Sequence, residues 1–363
     1  MTLHRYVLRE LLIPFFAATA VLLSLFYAMV LVRGVEFLLG SAATPGDWLT
    51  LGSSMLPMLL PQVLPLSFLI GVMIGFARLG EDGELTALAA VGVSPRRLLA
   101  PVLMLAVGVC AALAVTILIW KPWGMGQMRR TAREVIERNI LGDLKPGSLR
   151  ADLPGIVFYA EDVSAGPSWK RVVLIDERDP ARTQVLTAPS GHASLDTGVG
   201  IALDRGVLVQ RAADEEFTVT SFEKGTLLFN VADALNRRDT FRFGHEELSP
   251  FDLLERAEAA EASGASGVGF RSAFHHRLAQ LFAPLALALV ATAVAQSGRR
   301  RAARTAALIA FGLYLAFYVL SRASVQLGEK AVLSPALAGH LPVVAWFGVG
   351  LLLLAWIQKR GVR

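Results

Sequence analysis

A single cysteine, Cys110, in 363 residues excludes an intrachain disulfide and any zinc site built on clustered thiolates. It sits inside an apolar run, where a small buried residue is the plain reading, so cysteine usage says nothing about redox compartment. Charge is also scarce. Asp, Glu, Lys and Arg together make 18% of the chain, against ~25% in soluble proteins. With 54% hydrophobic residues and a mean hydropathy of +0.52, disorder and an ordinary soluble fold are both excluded.

The common catalytic signatures are missing as well. There is no GxxxxGK[ST] phosphate loop, so the chain does not hydrolyse ATP by that mechanism, and neither HExxH nor GxSxG occurs. Gly264, Gly267 and Gly269 fall in a linker with no strand before them, which removes the dinucleotide reading. The adjacent pair His275-His276 points about 100° apart on a helix with no carboxylate close in sequence. It reads as solvation at a membrane edge, and His192 and His245 read as solvated. No catalytic residue, metal ligand set or cofactor is assigned.

What the chain has in plenty is apolar sequence, and it is clumped. Residues 11–32 carry no charge, and a helix of that length spans ~33 Å against a ~30 Å hydrocarbon core. The run is too long for the apolar part of a signal peptide and shows no small-residue cleavage site before Arg33, so it is read as retained. Further runs cover about Leu51–Ala77, Leu98–Trp120, Leu278–Ser297, Thr305–Ser321 and Leu341–Gln358. Six spans absorb the apolar excess.

Lys and Arg in the short loops set the orientation. One side carries Arg5, Arg9, Arg78, Arg96, Arg97, Arg299, Arg300, Arg301, Arg304, Lys359, Arg360 and Arg363; the other carries only Arg33, Arg322 and Lys330. Both termini and the loops after spans two and four are therefore expected in the cytoplasm. The net charge of +5 is mostly a topology signal, and a nucleic-acid partner drops out.

Between spans three and four lie about 150 residues of ordinary soluble composition, placed outside the cytoplasm by the same argument. Gly124 to Gly142 is helix-compatible and continues the third span. From Gly155 the runs IVFYAED, KRVVLID, TQVLTAP, GHASL, GIALD, GVLVQRA, EFTVTSF and TLLFNV recur with Gly, Pro, Asp or Asn between them, which predicts short antiparallel strands in a sandwich or jelly roll. Ser249, Pro250 and Asp252 then start a helix to about Ala262, and residues 263–269 form a flexible linker. The expected division is 1–123, 124–270 and 271–363.

The six cores contain no Asp, Glu, Lys, Arg or His, which argues against an ion-coupled carrier. Arg33, Glu36, Arg277 and Arg322 lie at the outer ends of spans, where two readings stand: interfacial anchoring, or a ring of cations facing an anionic lipid headgroup such as a phosphorylated sugar. Span two carries Pro57, Pro61 and Pro65 on nearly one helix face. They bend or loosen it, either as a tolerated kink or as a moving wall. On the cytoplasmic side, RLGEDGELTALAAVGVSPRR (78–97) holds a short helix near 81–92 with Leu85 and Leu88 on one side and Glu81, Asp82 and Glu84 leading it. It is either a solvated elbow or a dock for a cytosolic protein.

The loop GELTALAAVGVSPRRLL, the opening RYVLRELLIPF, the LVR ending span one and the six-span plan with a β-rich insert together resemble the lipopolysaccharide export permease family, LptF and LptG. The resemblance covers essentially the whole chain, and the LVR and the context of Arg277 lean toward its LptF branch. It implies a membrane α-helical fold of six transmembrane helices with an inserted all-β periplasmic jelly roll, located in the cell inner membrane. It also implies a non-catalytic permease subunit paired with a second LptF/LptG-type subunit on an LptB-type ATPase dimer. Such a complex passes lipopolysaccharide to LptC- and LptA-type jelly-roll proteins. Glu84, with Glu81, Leu85 and Leu88, maps onto the ATPase-coupling helix; Arg33, with Arg277 and Arg322, is the expected lipid headgroup set, and Glu36 departs from the lysines some members carry there. The competing expectations are a membrane-anchored envelope binding or assembly protein without transport, and a lipid-modifying enzyme, for which no acid, base and nucleophile converge.

Overall fold

The computed structural model describes residues 3–38, 43–141, 147, 149–153, 156–163, 168–177, 183–194, 200–211, 217–228, 248–297 and 302–360. Arg299, Arg300, Arg301, Arg363 and His245 lie outside them. Among the described residues six helices are long and apolar enough to cross a membrane, as in a multi-pass membrane protein. In order the helices are α1 (Leu3–Leu38), α2 (Pro45–Glu81), α3 (Glu84–Ala90), α4 (Pro95–Val115), a π-helical turn (Thr116–Trp120) and α5 (Lys121–Leu141). After strands β1 to β6 come α6 (Pro250–Ala262), α7 (Val268–Ser297), α8 (Ala303–Glu329) and α9 (Pro335–Arg360). The chain divides into two compact units: 1–29, 54–125 and 245–363 form the first, and 30–53 with 126–244 the second.

In the first unit α2 and α7 are the inner helices, while most of α1, α8 and α9 is unpacked. Between apolar helices in lipid, burial supplies no net drive, so association rests on close packing of small residues. Gly71 and Gly75 show it: a Cβ on either would stand 2.7 Å from the Phe15 Cβ or 2.6 Å from a Leu11 methyl. These contacts seat the first turns of α1 on α2 and bury Val7 and Leu11. Two threonine hydroxyls inside the spans donate to their own helix, Thr116 to the Ala112 carbonyl at 2.8 Å and Thr292 to the Ala288 carbonyl at 2.7 Å. Pro57, Pro61 and Pro65 lie within one unbroken α2. From α8, the Tyr314 hydroxyl donates to the Gln62 carbonyl in that stretch at 3.1 Å.

The second unit carries one six-stranded antiparallel sheet in sequential order: β1 (Leu149–Leu153), β2 (Ile156–Val163), β3 (Ser168–Asp176), β4 (Gln184–Ser194), β5 (Gly200–Arg211) and β6 (Phe217–Leu228). Where the sequence predicts TQVLTAP and GHASL, GIALD and GVLVQRA, and EFTVTSF and TLLFNV as separate strands, each pair is one long strand as far as the described residues reach. The cause is a crease. The register from β2 to β6 is unbroken, yet the alternation of buried and exposed residues slips at the same level in successive strands. Buried Trp169 is followed by Val172, Ala188 by Gly191 and Leu203 by Gly206, three residues apart where two is the strand period.

The row at the crease holds Arg171 and Arg205, both at positive φ (50° and 49°), and Pro189, which has no N–H to donate. Two successive residues per strand there face outward, and they form a ladder of charge. Lys170 pairs with Asp162 at 3.6 Å, Arg171 pairs with Glu161, and the register sets Lys224 opposite Asp204. On the inside, Phe158, Ala160, Trp169, Val172, Leu174, Leu186, Ala188, Ile201 and Leu203 form one cluster drawn from four strands. A sheet that buries one face among its own strands must curve over it. Gly206 lies at the tightest point, where an added Cβ would come within 2.5 Å of the Thr187 carbonyl and 2.4 Å of the Phe222 ring. Gly206→Val is expected to cost the sheet ~1–3 kcal/mol, the usual range for overpacking. The check is faster hydrogen exchange across β4 to β6, with exchange in α2 and α7 unchanged.

Candidate functional site

The loop after α2 is shaped by two left-handed glycines. Gly83 (φ +74°) reverses the chain after Glu81, a conformation that costs a residue with a Cβ ~1–2 kcal/mol. Gly92 (φ +77°) ends α3 in a Schellman motif, with the Val93 amide on the Leu88 carbonyl at 2.9 Å and the Gly92 amide on the Ala89 carbonyl at 3.0 Å. Ser94 is extended and Pro95 opens α4. The result is a two-turn helix held between two spans.

That helix has two sides. Leu85 and Leu88 pack against the hydrophobic core of their own unit. Glu81, Asp82, Thr86, Ala87 and Ala89 to Val91 are exposed, Val91 at 77%. Glu84 stands between the two sides. Both of its carboxylate oxygens accept the Tyr6 hydroxyl from α1 at 2.8 Å. One turn further along α1, Glu10 lies 3.8 Å from the Arg78 guanidinium. The elbow is thus tied to α1 twice. Sequence reasoning singled out Glu84 but missed Tyr6, whose only local signal is a polar pair, Tyr6 and Glu10, one turn apart at the start of an apolar helix.

The expected headgroup cations fall in different settings. Arg277 is buried in α7, and its guanidinium donates to the Leu248 carbonyl just before α6. Arg322 is exposed on α8, with Nε donating to the Tyr318 hydroxyl at 3.1 Å and the guanidinium 5.5 Å from that ring. Tyr318 stacks on Tyr314 at 6.3 Å, so Tyr314, Tyr318 and Arg322 make one stripe along the helix. Arg33 lies in the last turns of α1, and its side chain is outside the described residues.

Where α6 meets α7, Arg271 clasps Glu261 through two bonds of 2.8 Å. The capping box of Ser249 and Asp252 starts α6 as the sequence predicts. The Arg271 bond holds the Glu261 carboxyl below the usual carboxylate range. A depressed folded value means the tie is complete above the unfolded value of ~4.3 and is lost as pH falls through the lowered one. Glu261→Gln is expected to remove that dependence. Proteolysis of the 263–267 linker between about pH 3 and 6 is the check, rising with acid in the native chain and flat in the variant.

His275 packs edge-on against His340 with ring centroids 5.6 Å apart, and His276 bonds Gln280 at 3.1 Å. Among the described residues no three His, Cys, Asp or Glu side chains gather as a metal site.

The sequence matches the family described as "Lipopolysaccharide export system permease LptF/LptG" over residues 5–356. Among individual relatives, the lipopolysaccharide export system permease protein LptF of Escherichia coli strain K12 is 25% identical over 367 aligned residues. The match covers 98% of this chain and 95% of that protein. The LptF protein of Shigella flexneri matches with the same identity and coverage.

Proposed function

The chain belongs to the lipopolysaccharide export permease family LptF/LptG, and from that membership we propose that it is the non-catalytic permease subunit of an ABC transporter. It extracts lipopolysaccharide from the inner membrane with energy from a separate LptB-type ATPase dimer. A second six-span subunit of the same family completes the lipid cavity. Both termini and α3 face the cytoplasm, and the curved sheet, closing as a jelly roll, stands in the periplasm and hands lipid to LptC- and LptA-type proteins.

The observation that carries this reading is the elbow at α3: an anionic, mostly exposed helix seated by Leu85 and Leu88 on the spans, in a chain whose sequence has no GxxxxGK[ST] phosphate loop. Glu84 and Glu81 meet basic residues of the ATPase, and Leu85 and Leu88 pass its movement into the core. Arg322 and Arg33 receive lipid phosphates, the first already oriented by Tyr318. Arg277 serves the same region by holding the start of α6 in place.

Purification in mild detergent tests the assignment. An ATPase with a phosphate loop and a second six-span subunit are expected to come with the chain, and vesicles holding the complex are expected to release lipopolysaccharide with ATP. A chain that purifies without an ATPase is an envelope binding protein instead.

A further inference from the structure

We infer that Tyr6 is a positioning residue for energy coupling: its hydroxyl fixes the Glu84 carboxylate for the ATPase and carries displacement of α3 into the first span. The inference rests on Glu84 being the ATPase contact proposed above. The Tyr6 hydroxyl reaches both oxygens of Glu84 at 2.8 Å, across 78 residues of chain. A carboxylate has about four acceptor sites, so one hydroxyl leaves room for a cation from outside. A neutral donor also leaves the negative charge in place. Glu84 is therefore held in one orientation while still able to pair, which lowers the ordering cost when a partner docks.

The second half of the inference comes from how α1 is packed. Its first turns are clamped: Val7 and Leu11 are fully buried, Phe15 lies under Gly71, and Glu10 faces Arg78. From Phe16 to Val32 no side chain of the helix is buried, and Phe16, Val21, Leu25 and Met29 are all more than half exposed. A helix of 36 residues held by its first turns, with Pro14 at the edge of the clamp, swings its free part when those turns are displaced. The bond from Glu84 joins it at the held end, and Arg33 stands near the other. Movement of α3 is then passed to the clamped turns and through them to the free part of α1.

Tyr6→Phe removes one oxygen and keeps the packed ring. In the full complex with its ATPase, this variant is expected to assemble and melt as the native protein does, yet to release at least about fivefold less lipopolysaccharide per ATP hydrolysed. Glu84→Ala alone and Glu84→Ala with Tyr6→Phe are expected to agree within about twofold, because the alanine already removes both the charge and the acceptor of the Tyr6 hydroxyl. Spin labels at Ser24 and Thr86 are expected to change separation on ATP binding in the native complex and to stay fixed in Tyr6→Phe. Native coupling in Tyr6→Phe while Glu84→Ala is impaired overturns the inference alone. Native coupling in Glu84→Ala, with the ATPase bound, overturns the role of Glu84 and the inference together. A double variant that loses the product of both single losses also overturns it.

Discussion

Glu84→Lys is expected to abolish lipid release and to strip the ATPase from the purified complex. The physical reason is charge reversal at a semi-buried position. Losing the partner of a hydrogen-bonded charge at an interface costs on the order of 2–5 kcal/mol, and a lysine adds repulsion toward the basic residues it would meet. It also takes away the acceptor of the Tyr6 hydroxyl. A loss of 2–5 kcal/mol corresponds to roughly thirty-fold to several thousand-fold in affinity, enough to be read directly from band intensities after purification. The seat of α3 is apolar, through Leu85 and Leu88, so the six helices themselves should remain folded. Glu84→Asp keeps the charge but shortens the reach, and is expected to fall between native and lysine variants. Retention of the ATPase and of release in Glu84→Lys would remove the assigned role.

Leu174→Asp is expected to have an effect of similar size by a different route. Leu174 is fully buried in β3, in the cluster inside the sheet. A carboxylate there is unpaired and desolvated, and the variant also loses the leucine packing. The loss is on the order of 3–5 kcal/mol, comparable to an uncompensated buried charge, against a total stability of only ~5–15 kcal/mol for a typical domain. The sheet unfolds while the helical unit, a separate compact unit, persists. Release is then lost with ATPase binding intact, the opposite pattern to Glu84→Lys. Native release from Leu174→Asp would show that the curved sheet is not on the lipid's path.

The six spans were legible because lipid selects for long uncharged runs, and a run of that kind needs no knowledge of its neighbours. The strand pattern was legible only in part. Around Pro189, Arg205 and Gly206 the composition is that of a turn, and locally it resembles one; that the strand continues through the bend depends on pairing with both neighbours at one shared level. At α3, a helical period places Leu85 and Leu88 on one side but does not say whether that side meets a partner or the core of its own unit. Tyr6 showed in the sequence only as half of a polar pair with Glu10, with nothing to connect it to Glu84. Its partner is 78 positions away, and only tertiary contact brings the hydroxyl to Glu84. The burial of Arg277 was hidden for the same reason, since its acceptor is a backbone carbonyl at Leu248.

The most direct measurement is ATP-driven release from vesicles that contain lipopolysaccharide and the purified complex of this chain, a second permease subunit and the ATPase, with a periplasmic jelly-roll protein as acceptor. A motorless permease predicts transfer that needs ATP, stops without the ATPase and disappears in Glu84→Lys. Transfer that is absent from the complete complex, or that proceeds equally without the ATPase, would contradict it.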